Sequence, residues 1–383
     1  MSSLFETVLD RKVIVLCGAG GVGKTTTAAA LATQLAIRGK RVLALTIDPS
    51  KRLAQALGVS MNSTTPESVS LGDAVAATGT SRVAGSLDVW VLNVAELASG
   101  LVEQALQDPE KSKRLRENSI FKELTQIISG MHEYMAVKAL HRFLNEGRYD
   151  CIVLDTPPSR HALDFLEAPG RTRKFIEGKF GQYFVPAEGG MLRRAASTVV
   201  HQIMSAVLGK KFAEDLVEFF SLFRGVFSLF SVELEQMRKL LNSQDAAFFV
   251  VTAPTHESIE EALFFEKRSR ALGVYFEGFF INRSIARATE GAVDLVNSTL
   301  DLGVQEKFSK LARIESAQVL REHELLVRLV SQVGEAKVFR IADMIELHAQ
   351  EVNESGHNGP SSQSVGLKSL ILLGQGLSRD LIH

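Results

Sequence analysis

Short apolar runs alternate with longer stretches of helical periodicity through most of this 383-residue chain. Seven runs read as strands, at 13–17, 42–48, 88–93, 151–155, 247–252, 278–282 and 337–341. Most are apolar at every position rather than every second one, the pattern of parallel strands buried on both faces. Between them, residues 26–38, 122–145 and 257–272 carry helical spacing. This alternation predicts an α/β fold with a mainly parallel, doubly wound sheet.

Three regions break the rhythm. Residues 59–86, rich in Ser, Thr, Gly and Ala, read as an excursion without regular structure. Residues 171–241 carry helical pattern only, an all-helical insertion in a core formed by 1–170 and 242–350. Residues 351–366 read as a flexible linker ahead of an apolar tail at 367–383. Within the insertion Phe212, Leu216, Phe219, Phe223, Phe227, Phe230, Leu234, Met237 and Leu241 recur every three or four residues. Phe220, Leu222, Val226 and Leu229 widen that stripe almost round the helix. In the tail, Leu370, Leu373, Leu377 and Leu381 share one helical face able to dock into a groove, although Gly374 and Gly376 weaken that helix.

Composition narrows the function classes. Hydrophobic residues make up 45% and charged residues 23%, which excludes a mainly disordered chain. A net charge of −1 argues against a dedicated nucleic-acid binder, and no nucleic-acid partner is expected. That average hides a local excess: residues 171–211 hold eight Lys and Arg against Glu177 and Glu188, a net +6. Nine of the 22 Phe fall between Phe175 and Phe230. An apolar surface rimmed by basic residues suits a hydrophobic client helix or an anionic membrane face. The plainer alternative is helices packing on one another or across a dimer. Cys17 and Cys151 are the only cysteines, too few for a disulfide framework or a zinc site, and their apolar surroundings predict buried thiols. Residues 1–7 show no export signal and no uncharged apolar run reaches the ~20 residues of a membrane span, so a cytoplasmic location is expected.

Gly18-Ala19-Gly20-Gly21-Val22-Gly23-Lys24-Thr25 fits the phosphate-binding pattern G-x-x-x-x-G-K-[ST], between an apolar strand and an Ala-rich helix as that motif requires. Gly20, Gly21, Val22, Gly23 and Thr26 offer backbone N–H groups at a helix N-terminus, whose partial positive charge favours phosphate. Lys24 reaches the β- and γ-phosphates, and the Thr25 hydroxyl is a Mg²⁺ ligand. Two aspartates end strands, where doubly wound sheets present their ligands. Asp155 fits the acidic residue that holds Mg²⁺ through water. Asp48 either orients the attacking water or caps the helix that Pro49 opens.

Together these pieces resemble the ArsA-type ATPases, which include arsenite-pump ATPases and the eukaryotic factor that targets tail-anchored membrane proteins. Besides the loop, Thr-Ile-Asp-Pro-Ser-Lys-Arg-Leu-Ala at 46–54 is similar to the first switch, and the run from Asp155-Thr-Pro-Pro-Ser-Arg-His to Pro169 to the second. Gly130-Met-His-Glu-Tyr-Met-Ala136 and Ile281-Asn-Arg283 also fit. The resemblance covers residues 11–345. It implies a dimer, of one chain or of two paralogues, opened and closed by ATP and Mg²⁺. It further implies that Asp48 positions water, that Asn282 contacts adenine, and that 171–241 forms a groove for hydrophobic helices. Ile-Asn-Arg is not the Asn-Lys-x-Asp of GTPases, so ATP is favoured over GTP.

Three departures qualify that resemblance. Ala19 stands where most of the family carries a lysine that crosses the dimer to the partner's nucleotide; Lys51 or Arg52 would be a substitute cation or simply solvated. The Cys-x-x-Cys clamp of the targeting factors is absent. Two sheet-strand cysteines cannot build the soft-thiolate arsenite site, so an arsenite pump is not expected. His161 and Glu133 each have a site role and a structural one open to them. The resulting reading is an ATPase using Lys24, Thr25, Asp155 and Asp48. The competing reading is a nucleotide-gated binding module with negligible hydrolysis.

Overall fold

The computed structural model describes residues 7–47, 52–60, 65–72, 75, 84–92, 94–122, 131–156, 209–284, 302–333, 337–340 and 370. Eight strands form one sheet: β1 (Val13–Cys17), β2 (Arg41–Thr46), β3 (Glu67–Ser68), β4 (Ser86–Val91), β5 (Cys151–Asp155), β6 (Ala246–Thr252), β7 (Phe276–Ile281) and β8 (Lys337–Arg340). Their order is β3-β4-β2-β5-β1-β6-β7-β8, parallel throughout except for β3. Every residue of β1, β5 and β6 is buried, as their unbroken apolar runs require.

The helices are α1 (Lys24–Ile37), α2 (Arg52–Leu57), α3 (Val94–Leu106), α4 (Pro109–Glu117), α5 (Met131–Glu146), α6 (Lys210–Leu241), α7 (His256–Ala271) and α8 (Leu302–Val333). In α1, Ala28, Ala29, Ala30, Ala32 and Ala36 are fully buried. Their small side chains combine the best helix propensity with close packing on the sheet. Gly39 ends the helix at φ +98, with its N–H on the Ala36 carbonyl at 3.0 Å.

The chain divides into two units: residues 1–91, 147–162 and 241–383, and residues 92–146 and 163–240. The first holds the sheet. A hydrophobic cluster on it joins Ile14, Leu16, Leu31, Val153, Phe249, Phe280 and Phe339. The Phe249, Phe280 and Phe339 rings lie 4.8–6.0 Å apart. Phe248, Phe249, Phe276, Phe279, Phe280 and Phe339 therefore place a second concentration of phenylalanine in adjacent strands, apart from the one in 175–230.

The second unit contains α3–α5 and most of α6, an unbroken 32-residue helix. Phe219, Leu222 and Val226 form its buried line, with Phe219 stacked on Phe223 at 4.9 Å, while Phe212 is 43% exposed. α4 and the turn after it hold the start of this helix: Asn118 Nδ2 donates to the Asp215 carbonyl (2.8 Å) and the Ser119 hydroxyl to the Asp215 carboxylate (2.6 Å). A cleft of roughly 400 Å³ beside this contact is rimmed by Lys111, Arg114, Glu214 and Glu218 over Val217 and Leu222. No helix among the described residues is long and apolar enough to cross a membrane.

Structure and sequence pattern differ in a few places. β3 lies inside the excursion; two residues are too short to show a period, and the strand is held by Val69 N–H on the Leu87 carbonyl (2.8 Å). β7 starts two residues before its expected position because an irregularity between Phe248 and Phe249 lets Phe276 pair with Phe248. Of the described tail, Leu370 is 5% exposed and belongs to the sheet cluster of the first unit, so its docking place is the core. Its tail companions, and residues 157–208, lie outside the described residues.

Leu370→Ala is expected to destabilise the protein by about 2–5 kcal/mol, the range for emptying a buried leucine site. Urea unfolding measures this, and an unchanged midpoint would remove Leu370 from the core.

Candidate functional site

β1 lies between β5 and β6, where strand order reverses and doubly wound sheets open a crevice. The loop that follows β1 is shaped by two close approaches. Gly18 has φ +145, and a Cβ there would fall 2.1 Å from the Val251 carbonyl oxygen of β6. Gly23 has φ +97, and its Cβ would fall 2.1 Å from Asn282 Nδ2. Only glycine fits either position. Between them, a Cβ on Gly20 or Gly21 would meet nothing within 4 Å, so the loop's open side is unfilled by protein.

Gly23 is the N-cap of α1, with no side-chain cap and no acidic residue in the first turn. No carboxylate of the helix's own first turn offsets the partial positive charge that it presents to the loop. Lys24 is 8% exposed, and its ammonium donates to the Ala19 carbonyl at 2.7 Å. Ala19 thus supplies a backbone acceptor for the loop lysine. Thr26 is exposed at the same helix start.

Strand register brings the acidic partner in. Leu16 of β1 and Thr46 of β2 both stand level with Asp155 of β5. Asp155 is fully buried, and its Oδ2 accepts from the Thr25 hydroxyl at 2.8 Å and the Thr46 hydroxyl at 3.2 Å. Hydroxyl and carboxylate are hard oxygen donors of the kind Mg²⁺ takes in small number, leaving its other positions to phosphate and water. No group of three His, Cys, Asp or Glu converges among the described residues. The donor set fits Mg²⁺.

Two further hydroxyls were not marked by the motif. Thr46 ends β2, and the Thr156 hydroxyl donates to the Leu16 carbonyl at 2.8 Å, tying the end of β5 to β1. The available signal was a threonine at or just past the end of a strand. Asn282, expected at adenine, directly follows β7 and donates from Nδ2 to the Val22 carbonyl at 2.8 Å. The structure thus brings together Gly20–Thr26, Asp155 and Asn282. Asp48, Lys51 and His161 lie outside the described residues; Arg52 opens α2 and is exposed; Glu133 lies on α5 in the second unit.

Cys17 and Cys151 are buried in β1 and β5. Burial pushes both thiols up to about 12; for Cys17 the Thr156 hydrogen bond and the Lys24 charge oppose that rise. Neither is a ready soft ligand.

The chain matches the model of the anion-transporting ATPase family over residues 11–315. It is similar to "ATPase get3" of Aspergillus terreus, 31% identical over 172 residues, covering 44% of this chain and 47% of the relative. It is likewise similar to "ATPase get3" of Schizosaccharomyces pombe (28% over 179 residues; 46% and 49%) and "ATPase ASNA1 homolog 1" of Paramecium tetraurelia (29% over 163 residues; 43% and 45%). The matches span about half the length of these curated relatives.

Both thiols are expected to resist iodoacetamide at pH 8 in the native protein and to react once it is unfolded; rapid native labelling would contradict their burial. Unfolded thiols ionise near pH 9, whereas the folded ones keep their protons to about 12. The folded state then holds more protons in that window, so stability falls as pH rises from 9 toward 12.

Proposed function

The chain belongs to the anion-transporting ATPase family, and we propose that it is a Mg²⁺-dependent ATPase of the cytoplasm whose hydrolysis cycle opens and closes a dimer. The observation that carries this reading is the Thr25 hydroxyl donating to the buried Asp155 carboxylate at the N-terminus of α1, directly after a glycine loop whose Ala19 carbonyl takes the Lys24 ammonium. Lys24 trades the neutral Ala19 carbonyl for phosphate oxygens, a stronger charge-assisted partner. Thr25 and Asp155 are the residues that would hold the metal. When bound, Mg²⁺ neutralises charge developing on the phosphates. Asp48, two residues beyond Thr46, positions the water that attacks the γ-phosphate, releasing ADP and phosphate.

Residues 171–241 handle the partner, a hydrophobic helix, for which their Phe-rich composition supplies apolar contact. An arsenite cargo is disfavoured: both cysteines of the chain are buried sheet residues with raised thiols. A second reading, a nucleotide-gated module with negligible hydrolysis, is favoured by Ala19, which removes a lysine from the catalytic complement.

Lys24→Ala is expected to lower steady-state ATP turnover by at least about 10²-fold, the scale of one lost charge-stabilising donor; retained turnover would sink the ATPase reading. Asp48→Asn is expected to keep ATP binding while losing turnover. Unchanged turnover in that variant would leave Asp48 as a helix cap. Wild-type protein that binds ATP without turnover, alone or with partners, would favour the gated module.

A further inference from the structure

β7 hands the chain to a three-residue turn that joins the phosphate loop to α8. The Asn282 backbone N–H donates to the Thr252 carbonyl at 2.8 Å, and its side-chain Nδ2 donates to the Val22 carbonyl at 2.8 Å. Arg283 follows with an exposed side chain and φ +60, a left-handed conformation that a non-glycine residue adopts only where its surroundings enforce it. Ser284 is 2% exposed, and its hydroxyl donates to Glu322 of α8.

Glu322 is itself 4% exposed. It continues the buried line of Leu326, Leu329 and Val333 along α8, spaced by four, three and four residues. A position that only needed filling would take another apolar side chain without the desolvation cost of a carboxylate. The acid sits where it grips the residue after the strained Arg283. What the turn controls is equally specific. The Val22–Gly23 peptide is planar and trans, so its C=O and N–H point in opposite directions. By holding the carbonyl from one side, Asn282 aims the Gly23 N–H to the other.

We propose that Glu322 is a positioning residue for the nucleotide site: through Ser284 it fixes the 282–284 turn, and through Asn282 the orientation of the Val22–Gly23 peptide in the phosphate loop. This rests on the reading of that loop as a nucleotide site. Lys24, Thr25 and Asp155 are held by their own partners, so loosening the turn weakens nucleotide capture more than the turnover of what is captured.

Full-length Glu322→Ala, Glu322→Gln, Ser284→Ala and the Ser284→Ala/Glu322→Ala double variant, each checked for a cooperative melt, test this with a fluorescent ATP analogue and steady-state ATPase assays. Losing a hydrogen bond to a charged group corresponds to about tenfold in affinity. Glu322→Ala and Ser284→Ala are each expected to raise Kd and KM for ATP about tenfold with kcat within about twofold. The double variant matches either single one, because all three break the same link. Glu322→Gln keeps an acceptor for the Ser284 hydroxyl and restores most of the affinity; with Ser284→Ala it carries the test if Glu322→Ala does not fold. Wild type that binds ATP while folded Ser284→Ala and Glu322→Ala bind it equally tightly overturns this inference alone, as do losses that add in the double variant. Wild type that binds no ATP overturns the nucleotide reading and this inference together.

Discussion

Parallel pairing of β1 with β5 on one side and β6 on the other sets Leu16 level with both Asp155 and Phe249. A shift of one residue in that register would turn Asp155 to the opposite face of the sheet and move the Val251 carbonyl away from Gly18. The opposite edge of the sheet is held by charge: Lys12 pairs with Asp245 at 2.8 Å, Arg41 with Asp150 at 2.6 Å and Arg11 with Glu277 at 3.0 Å. Each pair joins residues at the starts of different strands, and the Arg41 guanidinium holds the Asp150 carboxyl below its usual range. The Lys12 and Arg41 pairs are exposed and add little stability one by one, whereas Arg11–Glu277 is largely buried; the placement of all three opposes strand slippage. The loop edge is then free to present short polar side chains and open backbone.

The central strands were legible because burial on both faces leaves an unmistakable run of apolar residues, and the phosphate loop because its glycines answer to backbone geometry. What escaped has physical causes. The Asn282 contact to Val22 joins residues 260 apart in sequence, and nothing local marks which carbonyl an amide at a strand end will meet. Glu322 lies in a helix with many charged residues, where spacing alone does not tell a gripped carboxylate from a solvated one. Thr46 was hidden by its strand, since β-branched residues belong there for packing alone. The six phenylalanines of β6–β8 were submerged in a whole-chain count, although three of them make one aromatic cluster in the core.

Ala19 shows how a missing side chain leaves a backbone role in place. Its carbonyl accepts from Lys24 whatever residue stands there, so the loop lysine keeps its partner in this chain.

The cluster that buries Leu370 also contains Val8, so one packed body draws on residues near both ends of the chain. At elongation rates of about 5–20 residues per second, Leu370 is made tens of seconds after Val8. Until it arrives, the face it covers stays open to solvent on a nascent chain whose strands have already been synthesised. Contacts so distant in sequence also close slowly. Synthesis speed, and whatever shields the incomplete sheet in the meantime, therefore bear on the yield of folded protein as directly as the stability of the finished core.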